Sequence, residues 1–121
     1  MKILSGLCTD CNMILQYEVY KCLRSINDVI TDSTSESDIV DDCYDLLSVF
    51  VQTEVGAIKL VDYGTVTALS EVVCSQIQGC EKGQVVLQSA LYTCGEYAWR
   101  KDTASLHILL DYFCKQLDKY Q

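Results

Sequence analysis

The sequence predicts an all-α protein, and three observations carry that expectation. The 121-residue chain contains no proline, although average usage is about 5%. Proline removes a backbone donor and clashes with the preceding helical turn, so its absence suits a chain that is mostly helix. Half of the residues are hydrophobic, enough to bury a sizeable core and to argue against global disorder. Apolar residues then recur at steps of three and four along most of the chain, the spacing of one helix face.

The elements follow in order. Across residues 11–30 the apolar positions are Met13, Ile14, Tyr17, Tyr20, Leu23, Ile26 and Ile30. Residues 31–37, Thr-Asp-Ser-Thr-Ser-Glu-Ser, are a polar break, and Ser35 or Ser37 suits the next N-cap because a hydroxyl accepts from an orphan amide. A helix is expected over 38–52, with Ile39, Val40, Cys43, Leu46, Leu47 and Phe50 inward and Asp41, Asp42, Asp45 and Ser48 outward. A short helix over 55–62 carries Ala57, Ile58 and Val61. Gly64 then supplies a left-handed stop, and Thr65 is placed to cap a helix bearing Val66, Leu69, Val72, Val73 and Ile77 that stops near Gly79. Residues 79–83 are expected as a loop and 84–99 as one long helix, with Gly95 inside it at a close helix contact. Asp102 or Thr103 opens a last helix whose inward residues are Leu106, Leu109, Leu110, Phe113, Cys114 and Leu117.

The order long, short, long over residues 38–77 has the size of an armadillo or HEAT unit. Ile58-Lys59-Leu60-Val61-Asp62, then Gly64-Thr65-Val66 with Ala68-Leu69, is similar to the armadillo turn into its last helix. Asp41-Asp42-Cys43-Tyr44, Gly64-Thr65-Val66 and Ala68-Leu69-Ser70 resemble the neurochondrin family. Gly95-Glu96-Tyr97 resembles a helix of adaptor and coatomer large subunits. These resemblances imply a short right-handed α-solenoid in a single helical domain, 1–121. Its parts are a partial repeat 8–30, a full repeat 38–77 and a partial repeat 84–118. A compact helical bundle is the alternative. A bundle sets residues 11–30 against 102–118, whereas a solenoid holds them apart. Solenoids ordinarily need about three repeats to bury their faces, so a piece of a longer array, a dimer and a bundle all stay open.

Charge narrows the function. Seventeen acids against nine bases leave a formal net charge of −8, opposite to the cationic footprint that nucleic acid or an anionic membrane surface requires. No run approaches the ~20 apolar residues of a membrane span. The Met-Lys-Ile-Leu-Ser-Gly-Leu-Cys start lacks the apolar length and small residue of a signal peptide, which points to the cytoplasm. Cys22, Cys43, Cys74, Cys94 and Cys114 fall in apolar helical patterns, where a reduced thiol acts as a small buried hydrophobe. Between Arg24 and Lys59 there is no base, while Asp28, Asp32, Glu36, Asp38, Asp41, Asp42 and Asp45 lie there. Such a run is either a solvated face or a docking edge for a basic protein.

No candidate chemistry is complete. Cys8-x-x-Cys11 has no second pair to close a zinc site. His107 has no nucleophile elbow or oxyanion loop beside it. Asp41 and Asp45 share a helix face, but the Glu-x-x-His of a di-iron bundle is missing. The glycines are not followed by the Lys-Ser/Thr of a phosphate loop. No enzyme activity, metal or cofactor is therefore expected, although a cysteine-based metal protein is a further alternative. Tyr92 and Trp99 lie about two turns apart in the 84–99 helix and give an aromatic stripe, with Tyr97 beside it, either packed in the core or exposed at a groove. The expected partner is another protein, basic in character, or a second copy of the chain. The expected contact residues are Asp38, Asp41, Asp42, Asp45, Tyr92 and Trp99. A helical-bundle regulator, such as a pathogen factor occupying a host protein, is the competing class.

Overall fold

The computed structural model describes the backbone of residues 2–101 and 103–119, and the side chains of 15–101, 104, 106–108, 110, 111, 114, 115 and 118. All regular structure among these residues is helical: α1 (Lys2–Thr31), α2 (Ser37–Phe50), α3 (Glu54–Asp62), α4 (Thr65–Ser75), α5 (Cys80–Cys94), α6 (Glu96–Lys101) and α7 (Thr103–Lys119).

The α4 helix is the hub, and its composition explains why. Thr65, Val66, Ala68, Leu69, Ser70, Val72 and Val73 are all buried, and a helix that is apolar on most sides must be covered on most sides. Its neighbours are α1, α3, α5 and α7. The pairs α1 with α4, α2 with α5, α3 with α6 and α4 with α7 all pack, so each of the first four helices rests on the helix three places later. Among the described residues α1 and α7 share no comparably extensive contact, and both pack on α4.

Polar groups mark the same steps. Lys82 donates to Asp41 Oδ1 at 2.6 Å, 41 residues apart. Thr93 Oγ1 donates to the Val51 carbonyl at 3.2 Å, 42 residues apart. Both ends therefore align in the same sense, and α2 and α5 run parallel. The Tyr97 hydroxyl donates to Asp62 Oδ1 at 2.7 Å, joining α6 to α3. Asn27 Nδ2 donates to the carbonyl of Tyr63, the C-cap of α3, at 3.2 Å.

Several local expectations need correction. The first helix begins at Lys2, well before residue 11; the side chains of Cys8 and Cys11 lie outside the described residues. Neither Ser35 nor Ser37 caps α2. Glu36 is the N-cap, and Ser35 Oγ instead donates to the Val29 carbonyl at 2.8 Å, closing the end of α1. The loop is held by Asp32 Oδ1, which accepts from both the amide and hydroxyl of Thr34 and lies below the usual carboxylate range for that reason. Gly64 is left-handed at φ +82° as expected, but it is itself the N-cap of α4; Thr65 is the first helical residue and points inward. The α4 helix stops at Ser75, with Gln76 left-handed, rather than at Gly79.

The largest differences lie in α5. It starts at Cys80, so the expected loop 79–83 is helix, and it ends at Cys94. Gly95 lies at φ +54° and ψ −124°, a conformation reserved for glycine, and divides 84–99 into α5 and α6. No atom beyond its immediate surroundings would meet a Cβ there, so it serves no close contact. The close contact is at Gly79 and Gly83, which lie against the Tyr44 ring. Tyr44 was not expected inward, yet it is buried with Val40, Cys43 and Leu47, whereas Ile39 and Leu46 are exposed. The inward stripe is simply narrower than the apolar one. Of the thiols expected inside, Cys43 and Cys94 are buried while Cys22, Cys74 and Cys114 are exposed.

Candidate functional site

The parallel pair α2 and α5 leaves a groove along its outer side. Its main part encloses about 640 Å³, with Ser48, Val51 and Gln52 on one wall and Val85, Gln88, Ser89 and Tyr92 on the other. A smaller hollow of about 250 Å³ continues it toward the helix starts, past Tyr44, Asp45 and Lys82. Ser48, Val85 and Val86 line both, so the two are one channel.

Local sequence explains the walls. On α2, Asp45 and Ser48 are three residues apart and share a face; Gln52 lies in the turn just past the helix end. Val85 and Tyr92 are seven apart on α5, about two turns. Both stay open to solvent, Val85 at 62% and Tyr92 at 92% exposure. The ends are pinned by the Lys82–Asp41 pair and the Thr93–Val51 hydrogen bond. Hydrogen bonding to Asp41 raises the Lys82 pKa, and the nearby Asp45 charge adds to this.

The expected contact residues are partly gathered here. Asp45 and Tyr92 line the channel. Asp41 borders it but is already paired with Lys82. Asp38 and Asp42 are exposed on α2, with Asp38 in the first turn, where it also favours the helix dipole. Trp99 is elsewhere. The break at Gly95 puts it on α6, its ring tilted against His107 at 6.3 Å between centroids. The aromatic stripe of Tyr92 and Trp99 therefore does not form. Tyr97 is half-buried and its hydroxyl donates a hydrogen bond to Asp62, which raises the phenol's pKa.

Lys82, Val85, Gln52 and Gln88 were not anticipated in this role. An internal alignment at an offset of 41 or 42 residues would have paired Asp41 with Lys82 and Val51 with Thr93. A second hollow of about 400 Å³, beside Val19, Phe50 and Val55, lies where α1 meets the α2–α3 turn; it carries none of the expected contact residues.

Among the described residues, no three histidine, cysteine or acidic side chains gather to hold a metal ion. Burial pushes the Cys43 and Cys94 thiols up, the opposite of the lowered pKa an attacking thiolate needs. No helix among them is long and apolar enough to cross a membrane. The family model described as neurochondrin matches residues 1–121. No curated protein and no solved structure matches the chain.

Proposed function

Because the chain belongs to the neurochondrin family, we propose that it is a helical protein-interaction module, non-catalytic and built as a short α-solenoid. The observation that carries this is the three-step packing. Helices α2, α3 and α4 meet α5, α6 and α7 in the same order, which is how successive repeats stack. On this reading α2–α4 is one unit, α5–α7 is the next, and α1 is the last helix of the unit before. Stacked repeats present long grooves between equivalent helices, and the α2–α5 channel is such a groove. The acidic composition and its base-free stretch suit a protein partner, and the module is assigned to the cytoplasm.

Cross-linking mass spectrometry on the chain incubated with cell extract tests the proposal. The expected result is a saturable, stoichiometric partner with cross-links confined to one face. Absence of any saturable partner overturns it. So does turnover of a hydrolase or thiol substrate that disappears on His107→Ala or on alkylation of the cysteines.

A further inference from the structure

Resting on that interaction reading, we propose that the α2–α5 channel takes an extended basic segment of a different protein. A lysine or arginine lies at the Asp45 end, and a leucine- or valine-sized residue sits beside Val51 and Tyr92.

The two ends of the channel differ in chemistry. Around the helix starts stand Asp38, Asp41, Asp42 and Asp45 on α2 and Glu81 on α5, with Lys82 as the one base among them. Lys82 is bonded to Asp41 at 2.6 Å and feels Asp45 as well, but one base against five acids leaves the cluster with net negative charge. A cation entering there meets complementary potential, and an anion is repelled. The opposite end carries no charge. Val51 and Tyr92 offer apolar surface there, Val85 being shared with the Asp45 end, and Tyr92 is exposed enough to fold down on an incoming side chain. Tyrosine suits this because it brings a large contact area at small entropic cost. Between the ends, the Gln88 amide and the Ser89 hydroxyl line the α5 wall, groups that match the donors and acceptors of a peptide backbone.

Length fixes the register. From Asp45, where the base lies, to Val51 is six steps, about 9 Å at 1.5 Å per residue. An extended chain covers that in about three residues. The occupant therefore has its base and its apolar residue about three positions apart. A second copy of this chain is disfavoured because each carries a net charge of −8, so association works against mutual repulsion. The walls are pinned at both ends, which leaves little ordering to be done on binding.

The probe is a fluorescent five-residue synthetic peptide with two lysines, one serine and two leucines in that order. A control peptide has glutamates in place of the lysines. Fluorescence anisotropy at low salt is expected to show binding of the lysine peptide and at least tenfold weaker binding of the glutamate peptide. Asp45→Lys and Tyr92→Ala should each weaken the lysine peptide at least tenfold. Asp28→Lys, an acid on α1 away from the channel, should leave it within twofold, with circular dichroism unchanged in all three. Equal binding of the two peptides, no binding of either, or equal loss in Asp28→Lys and Asp45→Lys overturns the proposal. If a cellular partner is captured equally by wild type and Tyr92→Ala, the channel assignment fails while the interaction module stands. If no partner is captured, the module itself fails.

Discussion

Tyr44 is 2% exposed, and two glycines make room for it. A Cβ on Gly79 would stand 2.7 Å from its Cε2, and one on Gly83 would stand 3.1 Å from its hydroxyl oxygen. Gly79 is also left-handed, at φ +84°. Gly79→Ala therefore adds a steric clash, about 1–3 kcal/mol for an overpacked core, to a left-handed penalty of about 1–2 kcal/mol. Gly64→Ala, at φ +82° with no neighbour within 4 Å, should cost the backbone penalty alone. Urea denaturation of the two variants checks the difference. The Tyr44 hydroxyl is buried without a hydrogen-bond partner among the described residues. Such a group costs about 1–3 kcal/mol, so Tyr44→Phe should stabilise by about 1 kcal/mol rather than destabilise. The same residue sets a pH dependence. Burial, with smaller contributions from Cys80 and Cys43, pushes its pKa up to about 12, against about 10 unfolded. Between those values the unfolded chain has lost the proton that the folded chain retains, so stability falls as pH rises through this window. Denaturation midpoints from pH 8 to 11.5 should fall less steeply in Tyr44→Phe, with a residual slope from the buried thiols of Cys43 and Cys94.

Among the elements, α5 and α6 show where local sequence stops being decisive. Gly95 sits in a stretch whose apolar spacing continues from Val85 to Ala98, so the pattern alone reads as one helix. A glycine costs a helix about 1 kcal/mol against alanine, too little to force a break by itself. The break is favoured by what it places: Ala98 is fully buried, and Tyr97 reaches Asp62 on α3. Gly95→Ala meets no steric obstacle, yet it demands a backbone conformation that costs a non-glycine residue about 1–3 kcal/mol. It should lower the melting temperature, and hydrogen exchange should show the loss first in α6. By contrast, the Gly64 turn was legible because Gly64 takes its positive φ without crowding. The α3 helix was read from Ala57, Ile58 and Val61, not from its cap, in which Thr53 Oγ1 accepts from the Gly56 amide at 3.1 Å.

For the molecule as a whole, α4 couples the two sides. Leu69 on α4 is fully buried. Leu69→Ala should cost about 2–5 kcal/mol, a large share of the roughly 5–15 kcal/mol of a typical domain. It should loosen α1 and α7 together. Leu46→Ala, at a position 50% exposed, should stay within about 0.5 kcal/mol; thermal melts monitored by circular dichroism compare the two. The stacked arrangement makes a further geometric prediction. With neighbouring helix axes about 8–10 Å apart, two steps from α1 to α7 place their axes roughly 16–20 Å apart. Spin labels on the exposed Cys22 and Cys114, in a chain whose other cysteines are serine, should report separation in that range or beyond, allowing for tether length. A closed bundle brings the axes to about one spacing.

The sequence by itself determined that the chain is helical, acidic and related to neurochondrin, because these properties are carried by composition, by three-to-four spacing and by contiguous motifs. It also marked Asp45 and Tyr92 as surface residues of interest. It did not determine which of the marked residues meet. Tyr92 and Trp99 look like one stripe until the φ of Gly95 separates them, and Asp41 looks free until Lys82, 41 residues away, pairs with it. Only the tertiary structure decided those points, since the α2–α5 channel is made by two helices whose alignment rests on Tyr44 seated against Gly79 and Gly83. That contact has no local signature: it exists only when α5 is laid parallel to α2.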